Sequence, residues 1–232
     1  MKFQTPLLQG TLIKRYHRSL VDVKLDDGST VTAHCTNITA MLGCYKPGNR
    51  VVLSDSGNPS RRHRLTWELI AMDETWVCVN TAMARKVLYE ALETHAIPSL
   101  AHYHEIDREG TYGMGGKVDL ILHGMEQNCF MNVYPVTCVE NGVALYPDYK
   151  NERSGQSLLR LADIAKEGHS AVAFFLIQRG DATTFKPAEK IDRAFLKALL
   201  KLQSVGAEIL AYRANVTLEE ITIGVPIPYS LT

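Results

Sequence analysis

Two neighbouring apolar segments of this chain carry the residues whose types and spacing come closest to a catalytic site. Asp119 lies near the start of the first segment, VDLIL, and Asn132 and Tyr134 share one face of the second, CFMNVYPVT at 129–137. A hairpin with an acid on one strand and an acid-x-lysine pair on the next can hold a divalent metal against a phosphate, because hard cations prefer carboxylate oxygens. Asn132 offers only a neutral amide oxygen and Tyr134 carries no positive charge, so the spacing alone favours a structural hairpin.

Two clusters of basic residues, KRYHR at 14–18 and RRHR at 61–64, lie in the first third of the chain. The side chains of interest are Lys14, Arg15, Arg18, Arg61, Arg62 and Arg64. A basic strand with an interleaved tyrosine, next to a basic loop, is typical of small barrels that hold a phosphate backbone and stack on bases. A solvated hairpin whose charges only confer solubility is the alternative, and the spacing leaves it open.

Polar residues also follow two predicted elements in the second half of the chain. Arg153 and Gln156 lie near the predicted start of a helix, where backbone N–H groups can receive a phosphate. Arg179 and Asp181 follow the apolar segment AVAFFLIQ, and functional groups often gather at the carboxyl ends of strands in α/β sheets. The alternatives are an ordinary polar helix start and a structural ion pair between Arg179 and Asp181.

The composition is that of a globular protein. The chain has 232 residues, 46% hydrophobic and 22% charged, with no formal net charge, so the local basic clusters carry any argument for a nucleic-acid partner. No apolar run approaches the roughly 20 residues of a membrane span, and MKFQTPLLQG lacks the apolar core of a signal peptide, so we expect a cytoplasmic protein. The scattered cysteines lack the spacing of a zinc site, and we expect reduced, buried thiols.

The elements that must position these residues change in character near residue 80. Residues 1–80 have the pattern of short alternating strands with turns, and Asp27-Gly28 between two such strands predicts a hairpin. About five such strands predict a small all-β OB-like barrel. Residues 81–232 begin with the helical pattern NTAMARKVLYEALETH, and a loop is predicted over 98–116.

Strands and helices then alternate to the end of the chain, with Gly168 and Gly206 where helices should end. The sequence therefore predicts an α+β chain. Its OB-like barrel domain spans 1–80, and an α/β domain with a mixed sheet spans 81–232.

The chain resembles the bacterial sugar fermentation stimulation protein A family. The resemblance runs in order from residue 11 to about residue 214 and is carried by LIKRYHRSLVDV, HCTNITAMLGCYKPG, TWELI, VCVNT, VDLIL, YPDYKNERSGQSLLRL, AVAFFLIQRGDATTFKPAEKID and VGAEILAYRA. It implies an N-terminal OB-like barrel joined to a domain like the PD-(D/E)xK nucleases. It also implies DNA binding and regulation of sugar-utilisation genes.

Compared position by position with the family, the chain resembles a nuclease in which two functional side chains of the site are replaced. The aspartate of the family falls on Asp119, while Asn132 and Tyr134 stand where the family has the Glu and Lys of Glu-Val-Lys. The helix glutamate of nuclease cores falls on Glu90, and Gln156 matches the family's glutamine. Asp119, Glu90 and Gln156 are therefore expected as a catalytic remnant, with weak metal binding, if any, at Asp119.

The family motifs outside the hairpin are also partly changed. The segment TNITAM at 36–41 corresponds to the family motif Pro-Asn-x-Gly-x-Met. Asn37 matches the asparagine of that motif, while its proline and glycine are replaced. YPD at 146–148 stands at Phe-Pro-Asp, and Arg153 is kept in the following motif. We expect DNA contacts from Lys14, Arg15, Arg18, Asn37, Arg61, Arg62, Arg64, Arg153 and Arg179.

These observations predict a DNA-binding regulatory protein of sugar utilisation with a degenerate nuclease-like site. We expect non-specific or weakly specific binding to DNA, no membrane partner, and no requirement for Mg²⁺ or Mn²⁺. Two alternatives stay open at this point. One is a metal-dependent DNA nuclease that retains Asp119, and the other is a protein-binding scaffold that has kept only the fold.

Overall fold

The computed structural model describes residues 1–3, 6–113 and 116–232. Its strands are β1 (Leu7–Tyr16), β2 (Leu20–Leu25), β3 (Thr30–His34), β4 (Arg50–Asp55), β5 (Leu65–Met72), β6 (Thr75–Cys78), β7 (Glu105–Tyr112), β8 (Gly116–His123), β9 (Cys129–Val136), β10 (Cys138–Glu140), β11 (Val143–Tyr146), β12 (Ser170–Ile177), β13 (Thr184–Pro187), β14 (Glu208–Val216) and β15 (Ile221–Pro226). Its α-helices are α1 (Met83–Glu93), α2 (Glu152–Lys166) and α3 (Arg193–Ser204).

The first six strands form the predicted barrel. Their order is β3-β2-β1-β4-β5-β6, and the sheet closes through a parallel pairing of His34 on β3 with Thr66 on β5. The predicted turn joins β2 to β3, with Gly28 at φ +88°, a conformation that glycine adopts without a steric penalty. Inward-facing residues such as Val21, Val23 and Trp67 are fully buried, as the alternating pattern requires.

The second half is a mixed sheet covered by helices on both faces. Its order is β15-β14-β12-β9-β8-β7, with β9, β12 and β14 parallel and the other pairs antiparallel. The apolar stripe of α1 packs on the face that carries Phe174 and Met131, while α2 and α3 pack on the face that carries Phe175 and Phe130. A smaller sheet of order β10-β11-β13 lies beside it. The predicted fold class is confirmed.

The helices end where the sequence indicated. Gly168 and Gly206 follow α2 and α3 with φ of +92° and +82°, the left-handed conformation that stops a helix. At the other ends, Asn151 accepts a hydrogen bond from the N–H of Arg153, and Asp192 accepts one from Phe195. These side chains satisfy N–H groups that have no partner within the helix.

The loop predicted over 98–116 is wrong in its second half. The structure has a 3-10 turn at Pro98–Leu100 and then β7, which pairs with β8 at the edge of the sheet. Most β7 side chains are exposed, so the segment lacks the apolar alternation that predicts a strand, and pairing with β8 decides its conformation. Met114 and Gly115, part of the predicted loop, lie outside the described residues.

Two further predictions concern whole-chain properties. All five cysteines are buried and free, in keeping with the expected reduced thiols. None of the helices in the described ranges has the length and hydropathy to span a bilayer.

Buried polar residues join the barrel to the second domain. Gln178, just after β12, donates hydrogen bonds from its amide to the carbonyl oxygens of Cys78 and Asn80, at 3.0 and 3.1 Å. Asn80 in turn donates to the carboxylate of Glu68 on β5, at 2.8 Å. Ser54 donates to the other oxygen of Glu68 at 2.6 Å, and Glu68 is only 3% exposed.

Burial raises the pKa of Glu68, and the hydrogen bonds from Ser54 and Asn80 oppose that rise. A folded-state pKa above the ordinary carboxyl value of 4.5 means that the folded protein binds this proton more tightly than the unfolded chain does. Ionisation of Glu68 therefore reduces the free energy of unfolding as the pH rises through the folded-state pKa.

Replacement of Glu68 by glutamine should remove this pH dependence. We expect the free energy of unfolding of Glu68→Gln, relative to that of the wild type, to increase between about pH 4 and pH 7. Urea denaturation of both proteins across that range measures the difference, and the acid end is the internal control because both side chains are neutral there. A difference that does not change with pH would contradict the raised pKa.

Candidate functional site

Asp119 lies on β8, and its carboxylate is held by groups of the protein itself. Oδ1 is 2.9 Å from Nη1 of Arg85 on α1, and Oδ2 accepts a hydrogen bond from the N–H of Val133 at 2.8 Å. The side chain is 24% exposed. Each oxygen of this carboxylate therefore already accepts one hydrogen bond, from a guanidinium or from a strand amide.

Asn132 and Tyr134 are buried on the opposite side, beneath α2. The Asn132 amide accepts from the N–H of Asp119 at 3.1 Å and donates to the carbonyl oxygen of Ser157 at 3.4 Å. The hydroxyl of Ser157 donates to the carbonyl oxygen of Ser154, so the Tyr134 hydroxyl donates to that of Ser157, at 2.6 Å. Burial raises the pKa of Tyr134 well above its usual range, so the phenol stays neutral.

The structure brings together only part of the expected catalytic remnant. Glu90 and Asp119 line the same cleft, of about 320 Å³, between α1 and the edge of the sheet. Glu90 forms an ion pair with the amino group of Met1. Gln156 is exposed on α2, which packs on the other face of the sheet. Among the described residues, no group of three or more His, Cys, Asp or Glu is arranged to hold a metal ion.

Two of the cations that line this cleft are also engaged. Arg85 pairs with Asp119, and the guanidinium of Arg108 lies over the ring of Tyr89, 3.4 Å from its centroid. A guanidinium over a ring face is attracted to the negative centre of the ring. The cleft is therefore polar, and the charge of Asp119 is paired with that of Arg85 within the protein.

The predicted DNA-contacting residues differ in what their side chains do. Arg18, Arg61, Arg62 and Arg153 are exposed, and no described residue pairs with their side chains. Lys14 is exposed, with its ammonium 3.7 Å from Asp22. Arg64 forms two hydrogen bonds with Asp55, at 2.8 and 3.3 Å.

The other three predicted contacts serve the fold. Asn37 and Arg179 are 1% and 3% exposed, so their prediction as DNA contacts is wrong for this structure. Asn37 accepts from the N–H of Thr39, and Arg179 binds Asp181 and the carbonyl oxygens of Gly43 and Thr137.

Arg15 is likewise committed to backbone carbonyl oxygens. Its guanidinium donates to Arg18, Asn37 and Thr39 at 2.6 to 3.0 Å. These bonds use the donors that a phosphate would need, so the prediction of Arg15 as a DNA contact is replaced by a role in holding the loop after β3.

The sequence did not indicate two residues, Asp148 and His34, that lie beside the predicted DNA contacts of the barrel. Asp148 is 7% exposed, and its Oδ2 accepts from the hydroxyl of Thr39 at 2.6 Å and from the N–H of Met41 at 2.8 Å. His34 lies beside the basic loop. Burial, and then the positive charges of Arg61 and His63, lower its pKa. The YPD motif marked the position of Asp148. The contacts of Asp148 and the surroundings of His34 depend on long-range contacts that only the structure shows.

The basic residues of the barrel converge at one end. Leu20, which follows the β1–β2 turn that carries Arg18, pairs with His34, and His34 pairs with Thr66 at the start of β5. The β1–β2 turn, the loop after β3 and the loop before β5 therefore lie together. We call residues 17–19, 36–45 and 56–64 the basic end of the barrel.

Comparison with known proteins agrees with both halves of this architecture. Residues 13–79 match the model of the SfsA N-terminal OB domain, and residues 82–220 match that of the sugar fermentation stimulation protein RE domain. The chain belongs to the sugar fermentation stimulation protein family.

Relatives in this family match nearly the whole chain. The homologue from Citrifermentans bemidjiense is 43% identical over 231 residues, with 100% of both chains covered. The homologue from Geobacter sulfurreducens is 44% identical, with 96% of each chain covered. The solved structure of Pyrococcus furiosus SfsA in complex with Ca²⁺ has a TM-score of 0.90 at 20% identity, covering 99% of this chain and 98% of that one. This structural likeness confirms the fold.

The burial of Tyr134 in this family member makes a prediction for stability. Tyr134→Lys should lower the free energy of unfolding by about 3 kcal/mol or more, because it buries an unpaired ammonium among Phe175, Phe195 and Tyr146. Tyr134→Phe, the matched control, loses only the hydrogen bond to Ser157 and should cost about 1 kcal/mol. Urea denaturation measures both. A lysine variant as stable as the wild type would show that this side chain can reach solvent.

Proposed function

We propose that this chain is a DNA-binding protein that contacts the phosphate backbone through the basic end of the barrel and serves regulation of sugar utilisation. The observation that carries the proposal is the exposure of Arg18, Arg61 and Arg62 at this one end, with no partner for their side chains among the described residues. Unpaired guanidinium groups have no internal ion pair to break before they bind phosphate, and they hold it with two parallel hydrogen bonds.

The proposed activity is DNA binding without metal-dependent cleavage of the DNA. A divalent cation, which the nuclease resemblance implies, does not fit the residues present. The Asp119 carboxylate is bound by Arg85 and by the N–H of Val133, and the second acid position is the buried amide of Asn132. A neutral amide that is already hydrogen-bonded cannot supply the charge of a carboxylate. We therefore propose that the second domain supports binding without cutting DNA.

Fluorescence anisotropy of labelled DNA, titrated at several salt concentrations, tests this proposal. Arg61→Glu/Arg62→Glu should weaken binding about ten-fold at low salt, because both phosphate contacts become repulsive. The loss should be similar for all sequences. The slope of log affinity against log salt should fall by about one for each lost contact.

The matched control is Lys197→Glu/Lys201→Glu on α3, which makes the same change in charge far from the barrel loops. It should leave the slope unchanged. An equal effect of both double variants would assign the loss to net charge. An absence of wild-type binding at low salt would refute DNA binding altogether.

A metal-dependent nuclease is the second candidate, and two observations favour it. Asp119 shares its cleft with Glu90, Glu93 and Glu109, so carboxylates are plentiful there. The Pyrococcus furiosus protein, which has the same fold, was also solved in complex with Ca²⁺.

Plasmid cleavage in Mg²⁺ or Mn²⁺ decides between the two candidates. We expect no cutting by the wild type above that of Asp119→Asn, because the described acidic residues form no group arranged to hold a metal ion and the buried Asn132 is a neutral amide. The catalytically silent control is Glu167→Gln, an exposed carboxylate on the other face of the sheet. Robust cutting that Asp119→Asn abolishes and Glu167→Gln retains would establish the nuclease.

A further inference from the structure

The loop between β3 and β4 presents apolar side chains to solvent at the basic end of the barrel. Ile38 is 56% exposed, Leu42 41% and Tyr45 38%. We call residues 36–45 the apolar loop. Single exposed apolar residues are ordinary on protein surfaces, but several on one short loop indicate a binding surface.

The apolar loop is held firmly from several directions. Arg15 binds the carbonyl oxygens of Asn37 and Thr39, Asp148 binds the hydroxyl of Thr39 and the N–H of Met41, and Arg179 binds the carbonyl oxygen of Gly43. These anchors come from β1, from the segment after β11 and from the end of β12. The exposure of the apolar side chains is therefore a feature of a fixed conformation.

The conformation of the loop is also strained. Met41 has φ of +55°, which a residue with a side chain rarely adopts, and its side chain is buried in the barrel core. Such strain persists only where surrounding contacts impose it, and it occurs often at functional sites. Met41 is buried in this conformation, while Ile38 and Leu42 on the same loop are exposed.

The charge around the apolar loop indicates the kind of ligand. Residues 36–45 contain no acidic side chain, Lys46 follows directly, and Arg18 lies on the adjacent turn. The backbone N–H of Arg15 donates to the Tyr45 hydroxyl, which ties the loop to the end of β1. A complementary ligand has negative charge at the edges and apolar surface in the middle.

Single-stranded DNA has this arrangement, because its unstacked bases offer apolar faces between charged phosphates. A continuous duplex hides those faces in the base stack. Resting on the proposed function, we infer that the apolar loop binds the unpaired bases of single-stranded DNA. Ile38, Leu42 and the Tyr45 ring contact the bases, while Arg18 and Lys46 contact the phosphates.

The test compares single-stranded and duplex DNA of one mixed sequence, about 20 nucleotides long, by fluorescence anisotropy. Wild-type protein should bind the single strand more tightly. Ile38→Thr/Leu42→Thr should weaken single-strand binding about ten-fold, since each base contact contributes several-fold to affinity. Duplex binding and the salt slope should not change, because no charge is removed.

The matched control is Leu159→Thr/Leu200→Thr, which replaces two exposed leucines on α2 and α3. It should bind like the wild type. Ile38→Trp is the complementary variant and should bind the single strand at least as tightly, because an indole provides a larger stacking face. Circular dichroism confirms that each variant is folded.

The possible results separate this inference from the proposed function. Loss of binding in Arg61→Glu/Arg62→Glu, with wild-type affinity in Ile38→Thr/Leu42→Thr, overturns the inference alone. No wild-type binding to either DNA overturns both. Unchanged DNA binding by the loop variant, together with lost binding to vesicles of anionic phospholipid or lost self-association, assigns the loop to a lipid surface or to a second copy and also overturns the inference.

Discussion

Two consecutive buried polar residues after β12 join the barrel to the mixed sheet. Gln178 binds the carbonyl oxygens of Cys78 at the end of β6 and of Asn80 just after it, and Arg179 binds that of Gly43 in the apolar loop. Leaving a buried guanidinium without partners is strongly destabilising. Because the partner Gly43 belongs to the barrel and Arg179 to the second domain, this bond requires that both domains are folded. The shape of the basic end of the barrel therefore depends on the second domain.

The hairpin of β8 and β9 in the second domain is held by contacts that serve the fold. Where the family resemblance places a glutamate and a lysine, Asn132 and Tyr134 instead bond with Ser157 and join the core beneath α2. The Tyr134 ring stacks on Phe175 with 4.9 Å between centroids, which replaces a charged side chain by aromatic packing. Asp119 also has a structural reason to be present, because it binds the N–H of Val133 and Arg85.

These contacts give the two halves different tasks in the proposed function. The barrel offers exposed guanidinium groups and an apolar loop at one end, both suited to a phosphate backbone with accessible bases. The second domain holds that end in shape through Asp148 and Arg179. In the proposed function, the second domain therefore contributes contacts that shape the binding surface.

The amino-acid sequence by itself determined the elements whose signals are local. The alternating strands, the turn at Gly28 and the helix ends at Gly168 and Gly206 follow from periodicity and from backbone preferences of single residues. Strand β7 was missed because its side chains are mostly exposed, and only its pairing with β8 makes it a strand.

The tertiary structure alone decided which polar residues are available to a ligand. In the sequence, Arg15, Arg18 and Arg179 are equivalent positive charges. In the fold, Arg15 and Arg179 are bound to carbonyl oxygens, and the side chain of Arg18 is exposed. Gly43, one partner of Arg179, lies 136 residues away along the chain. A residue's charge is a local property, but its burial and its partners arise from contacts between distant segments, and short-range patterns do not encode them.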